Sequence, residues 1–338
     1  MNIVLQVLGV IFLLIIVFVV VIVLTIRSKI RGFVKNLEGL SKTLALVPSR
    51  IKLRPLAAAS WLNEESIAPI VEALQSLGFE KVGDYQIAEV ERLNLQAWQI
   101  PSRSINAVIY ERPPMGQWVD LYTHFEDETR FTYSNGTLGA GFEHAPGHDI
   151  KRFPGMDVRE LFEKFVAERP DRPAKQISAD SFADVFEKVY ADEQDWRNSQ
   201  GGASEAEIRA IGMSSGNAYD DDVIEATHTM VERHALEELD EAIRGRFLEE
   251  TKMTASEWER VRDRVVMIHD RMNAEVFEEV VGPWVDDESL PGLDDISGET
   301  ARRVFTTMNE SLPKGRRFKR LGSVSSPLDA DIYAVPDA

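Results

Sequence analysis

The first pattern along the chain is an almost unbroken apolar run. Ile3 to Ile26 is interrupted only by Gln6, Gly9 and Thr25. As a helix it would extend roughly 36 Å at ~1.5 Å per residue, enough to cross a ~30 Å hydrocarbon layer. A cleaved leader would carry a charged start, a shorter apolar stretch and a small-residue cleavage site, and these are missing here. Residues 1–26 are therefore expected to be a transmembrane anchor, and 27–55 a basic juxtamembrane linker closed by Pro48 and Pro55.

Beyond the linker, the spacing predicts a helix over 63–77, with Ile67, Ile70, Val71, Leu74 and Leu77 inward and Gly78 as its stop. The period then changes to two. Phe79–Ile87, Leu93–Ile100, Ile105–Arg112, Gln117–Phe125 and Thr129–Ser134 are five strand candidates in succession. Glu126–Glu128 and Asn135–Gly136 supply turn signals. Residues 136–154 read as a loop, and Asp157 caps a helix to about Glu168 with Leu161, Phe162 and Phe165 inward. A helix followed by strands without intervening helices indicates α+β rather than a doubly wound sheet.

From Asp180 onward the pattern is mainly helical. Phe182, Val185, Phe186, Val189 and Trp196 mark one helix, and Ser204 opens a short one. Asp220–Asp222 opens a long one to about Glu250, with acids at its positive end. Thr254-Ala-Ser-Glu257 matches a capping box. It precedes Trp258, Val261, Val265, Ile268, Met272 and Val276 at helical steps. The expected arrangement is a long antiparallel helical hairpin over 220–280. The expected domains are an α+β domain at 56–177, a helical region at 178–312, and a strand pair within 313–338. That pair should return to the α+β domain's sheet, since an isolated hairpin is marginal in water. Phe79-Glu-Lys-Val-Gly83 resembles Phe318-Lys-Arg-Leu-Gly322, so a duplicated strand pair and a chance match are both open readings.

Charge sharpens the topology. Residues 1–55 carry eight Lys/Arg and one acid, Glu38, a net of +7; the remainder carries 30 Lys/Arg and 55 Asp/Glu, a net of −25. The cations follow the apolar run, so the positive-inside rule places the soluble part in the cytoplasm and the N-terminus outside. The expected location is the inner (plasma) membrane of a bacterial cell, single-pass. Arg27, Lys29, Arg31 and Lys35 would lie at the membrane surface, able to touch anionic headgroups. An acidic body repels phosphates, which excludes nucleic acid as a natural partner. The chain has no cysteine, which rules out disulfides and thiolate metal sites.

Chemistry-bearing residues concentrate in Gly141-Phe-Glu-His-Ala-Pro-Gly-His-Asp149. His144, His148 and Asp149, with His124 on a preceding strand, form the candidate metal set, and zinc would suit them. The competing reading is a polar surface loop. Asp192, Glu193 and Asp195 could do acid–base work if buried together, and otherwise form a solvated face. Asp220–Asp222 reads as a helix start rather than a cation site. His228, His234 and His269 read as core or interhelical histidines. Lys314-Gly-Arg-Arg-Phe-Lys-Arg320 is the one basic run outside the linker, and intramolecular pairing is expected for it. No phosphate loop, dinucleotide fingerprint, nucleophile elbow or HExxH motif occurs. The leading functional expectation is a non-enzymatic, membrane-tethered binding or scaffold protein without a cofactor, acting through a protein partner or the inner leaflet. The alternative is a metal-dependent, hydrolase-like enzyme centred on the 143–149 loop.

Overall fold

Asn63 caps α1 (Glu64–Ser76), its side chain accepting from the Ser66 N–H. The helix stops because Gly78 takes φ +87, a left-handed value open to glycine. The Phe79 N–H then reaches back to the Leu74 carbonyl at 3.0 Å. That turn delivers the chain into a sheet. The computed structural model describes residues 48–336, except 91–92, 113–115, 138–141, 215–218, 252, 293–295, 297–299 and 326–327. The expected anchor, with Arg27, Lys29, Arg31 and Lys35, lies outside the described residues. Among the described residues, no helix is long and apolar enough to cross a membrane. By its contacts the chain divides into two units, and Ser204–Val231 falls in a different one from Pro48–Ala203 and Glu232–Ala338.

The seven-stranded sheet comprises β1 (Leu53–Leu56), β2 (Glu80–Ile87), β3 (Asn94–Ile100), β4 (Ile105–Arg112), β5 (Gly116–His124), β6 (Arg130–Ser134) and β7 (His148–Arg152), paired in sequence order. Every neighbouring pair is antiparallel except β6–β7, which is parallel. Both faces are covered. Ile105, Ala107, Ile109, Val119, Leu121, Phe131 and Tyr133 pack with α1 and with α2 (Val158–Glu168), through Leu74, Leu161, Phe162 and Phe165. Leu95, Ala97, Val108 and Trp118 face the other way, towards Phe182, Phe186 and Tyr190 of α3 (Phe182–Ser199). The expected mixed α+β character, with a large antiparallel sheet, is what the chain forms.

Two strands of this sheet lie outside the five read from the pattern. β7 falls inside the expected loop 136–154, and β1 overlaps the end of the expected linker 27–55. Both are edge strands, and edges carry charge or proline to blunt further pairing. β7 is His-Asp-Ile-Lys-Arg and β1 holds Pro55, so neither shows an apolar alternation.

Within Ser204–Val231, α4 (Glu205–Ser214) opens on a reciprocal cap. The Ser204 N–H donates to Glu207 at 2.8 Å, and the Glu207 N–H donates to Ser204 Oγ. Here α5 (Asp221–Thr251) begins, with Asp221 paired to Arg209 at 3.0 Å.

The expected helical hairpin over 220–280 is not formed. The Thr254 capping box is present, but α6 (Ala255–Val261) ends early. β8 (Val265–His269) follows, and then α7 (Ala274–Val281). Val265-Val-Met-Ile-His269 is rich in β-branched residues, which fit a pleated surface. It is also covered on both faces. Val266 and Ile268 pack with Phe277, Phe305 and Phe318; Val265 and Met267 pack against Ile243, Phe247 and Trp258. A strand apolar on both sides shows no period of two, so Val265 and Ile268 fell in step with a helical stripe.

The C-terminal strands differ from the expectation for the same physical reason. β9 (Lys319–Val324) and β10 (Ala330–Ala334) do not return to the large sheet. They join β8 in a separate three-stranded sheet, order β8–β10–β9. The missing third strand was hidden in the supposed helix. The two Phe-x-x-(Val/Leu)-Gly segments also share a structural detail. The β2–β3 register skips Val82, and the β9–β10 register skips Leu321, so each glycine directly follows a bulged residue. A Cβ on Gly322 would lie 2.9 Å from the Phe247 ring. Each motif follows a helix, α1 in one case and α8 (Ala301–Ser311) in the other.

Candidate metal centre

Helix α3 presents Phe182, Phe186 and Tyr190 to the sheet. After two steps of four, a step of three along that stripe reaches Glu193, whose side chain is only 12% exposed. A buried carboxylate must find donors, and four converge on it. His144 Nδ1 lies 2.9 Å from Oε1, and His148 Nδ1 lies 2.9 Å from Oε2. The Ala145 N–H donates to Oε1 at 3.3 Å, and the Arg130 guanidinium to Oε2 at 3.3 Å.

The sheet positions two of these groups. Arg130 on β6 and His148 on β7 are register partners, so both side chains face α3. Pro146–Gly147 then turns the chain so that the Ala145 carbonyl accepts from the His148 N–H at 2.9 Å. Gly147 adopts φ +84 in that turn. The turn folds His144 back over His148, with ring centroids 5.5 Å apart and planes tilted by 57°. His148 Nε2 lies 3.3 Å from Thr132 Oγ1.

Burial pushes the Glu193 carboxyl up, but the two imidazole hydrogen bonds and their charge outweigh it and hold it well below the ordinary carboxylate range. Burial pushes His148 down, against the Glu193 bond that raises it; Arg130 also lowers it. His148 thus stays neutral to lower pH than a free histidine, the form that offers a lone pair to a metal.

The candidate residues separate as follows. His144 and His148 come together. His124 does not join them; it is the register partner of Arg130 on the far side. Two strand spacings, roughly 9–10 Å, therefore separate it from His148, with a guanidinium between. Its Nε2 instead faces Glu128 at 3.2 Å. Asp149 alternates to the opposite face of β7 and is exposed. Asp192 pairs with Lys188 at 2.7 Å, and Asp195 with Arg50 at 2.7 Å. His234 is largely exposed, not a core residue. His269 is buried and faces Asp240 at 3.3 Å. In the basic run, Arg316 pairs with Asp286 and Arg320 with Asp331.

A second acid, half-buried with one oxygen enclosed, lies on the α3 side of the sheet. Burial lifts Asp120 to about 6, against a Ser134 hydrogen bond and the Arg152 charge. Its Oδ1 is enclosed and makes no hydrogen bond. A raised carboxyl stabilises the fold while protonated, and that contribution is lost as pH rises through about 6. Asp120→Asn is thus expected to raise stability at pH 7–8, on the order of 1–3 kcal/mol, and to change little near pH 4. Chemical denaturation at both pH values checks this. A loss at pH 8 would mean the ionised carboxylate is needed there.

These groups define an α+β body carrying a His-His-Glu cluster between a sheet edge and a helix. Among known proteins, no family model, curated protein or solved structure matches the chain.

Proposed function

We propose that the protein is a membrane-tethered binding or scaffold protein whose acidic body engages a partner on the cytoplasmic face of the plasma membrane. The observation carrying this reading is the sequence of an apolar run from Ile3 to Ile26, a basic stretch, and a body of net charge −25. An acidic body is repelled by the anionic leaflet while the basic stretch is drawn to it, which favours a partner presenting basic groups. Full-length chain is expected to sediment with membranes and to resist alkaline carbonate, and a chain lacking residues 1–26 to be released. A truncated chain that stays in the membrane fraction, or a C-terminal fusion active as alkaline phosphatase, would overturn the reading.

The alternative, a metal-dependent hydrolase centred on residues 143–149, has less support. Hydrolytic zinc needs an open position for water and a base beside it. The acids flanking Glu193 pair away from it, Asp192 with Lys188 and Asp195 with Arg50, and the group beside Glu193 is a cation, Arg130.

A further inference from the structure

We infer that His144, His148 and Glu193 form a binding site for one divalent transition-metal ion, with zinc(II) the best-suited occupant. The inference is independent of the membrane reading. It replaces His124 and Asp149 by a carboxylate from a helix more than forty residues further along the chain.

Three ligand atoms, one from each residue, lie within 4.8 Å of one another. Imidazole nitrogens bind zinc at about 2.0–2.1 Å and carboxylate oxygens at about 2.0–2.2 Å. Donors that span one ion must therefore lie about 3–3.5 Å apart, and the closest nitrogen–oxygen pairs here are at 2.9 Å. To admit the ion the two nitrogen–oxygen pairs would open slightly, and ligand atoms lying as far apart as the 4.8 Å limit would draw together. Two histidines and a glutamate with no thiolate is a nitrogen- and oxygen-donor set suited to zinc, manganese, iron or cobalt rather than copper(I).

The surrounding groups match the outer-shell pattern of metal sites, in which each ligand is held by a further hydrogen bond. On taking up the ion His148 gives up its Nδ1–H bond to Glu193; its proton then sits on Nε2, where Thr132 Oγ1 can accept it, and Nδ1 presents the lone pair. The Ala145 N–H and Arg130 hold Glu193 from behind. Of the three ligand side chains, His144 is the most exposed at 21%, so entry is from its side. Arg130 is the unfavourable element. Its positive charge close to Oε2 opposes a cation, so its removal should tighten binding.

A purely structural role is the competing account, in which Glu193 bonds two N–H groups and staples the loop to α3. Metal titration separates the two. Full-length chain in detergent, stripped with a chelator, is titrated with Co²⁺ while visible absorption is followed, and thermal melts are recorded with and without Zn²⁺. One equivalent of Co²⁺ per chain is expected, with a rise in melting temperature on Zn²⁺. His144→Ala and Glu193→Gln should weaken binding at least 10–100-fold and abolish the Zn²⁺ shift. Arg130→Gln should keep the shift and bind about threefold to tenfold more tightly. His144→Ala, the variant at the most exposed ligand, tests the site should Glu193→Gln fail to fold. If the parent takes up less than one equivalent, or if folded His144→Ala takes up metal as tightly as the parent, the inference is overturned and the cluster is a staple.

Discussion

Phe165→Ala is expected to lower the unfolding free energy by about 3–5 kcal/mol, the usual range for removing a buried aromatic ring. Phe165 is fully buried in α2. Its ring lies 5.3 Å from that of Phe131 and 5.6 Å, edge-on, from that of Tyr133. Both partners come from β6, so this ring ties the helix to the sheet. The cavity is walled by Leu161 and Phe162 on the same helix and by Val119 and Leu121 on β5, and these fixed elements leave little room for collapse. Glu163, exposed on the opposite face of α2, is the control, and Glu163→Ala should stay within about 0.5 kcal/mol of the parent. Denaturant midpoints followed by tryptophan fluorescence measure both. A loss below about 1 kcal/mol for Phe165→Ala would mean α2 is not docked as described.

Phe165 was legible in the sequence because its helix advertises itself. Asp157 accepts from the Arg159 N–H as a cap, and Leu161, Phe162 and Phe165 fall on one side. β2 to β6 were legible for a similar reason, as apolar runs separated by turn residues. What could not be read are elements whose composition is set by their place in the sheet. β7 is polar because it is an edge, and β8 is apolar throughout because both its faces are covered. The metal cluster divides along the same line. Two histidines joined by Ala-Pro-Gly are close in sequence, and a tight turn brings them together. Their carboxylate is remote in sequence, and Glu193 sits with Asp192 and Asp195 in one acidic run. The helical period distinguishes it. Glu193 continues the Phe182–Phe186–Tyr190 stripe, and a carboxylate on a core-facing stripe demands a partner. His124 could not be excluded without the β5–β6–β7 register, which puts Arg130 between it and His148.

Ile268→Asp is expected to unfold the three-stranded sheet and the helices packed on it. Ile268 is fully buried with Phe277, Phe305 and Phe318, and shortening such a side chain alone costs about 2–5 kcal/mol. The new carboxylate adds a second cost. The cross-strand partner of Ile268 on β10 is Asp331, and directly opposed residues share a face, so like charges there repel. Asp331 is buried and already engaged by Arg320, with Arg302 at 4.0 Å and itself paired with Asp270 and Asp329, so a second acid would have to share these cations. An unpaired buried charge costs several kcal/mol, and the total exceeds much of the about 5–15 kcal/mol that holds an ordinary domain together. Val265→Asp distinguishes strand from helix. A helical stripe would make Val265 as deeply buried as Ile268. In the strand, Val265 is half-buried on the opposite face, so its carboxylate can reach water and the loss should be smaller. Glu259→Ala removes only an exposed pair with Arg262 and should change stability by less than about 0.5 kcal/mol. Thermal melts of the three variants give the order. If Val265→Asp melted below Ile268→Asp, residues 265–269 would have to present Val265 to the core, as the helical stripe does, and the three-stranded sheet would be wrong.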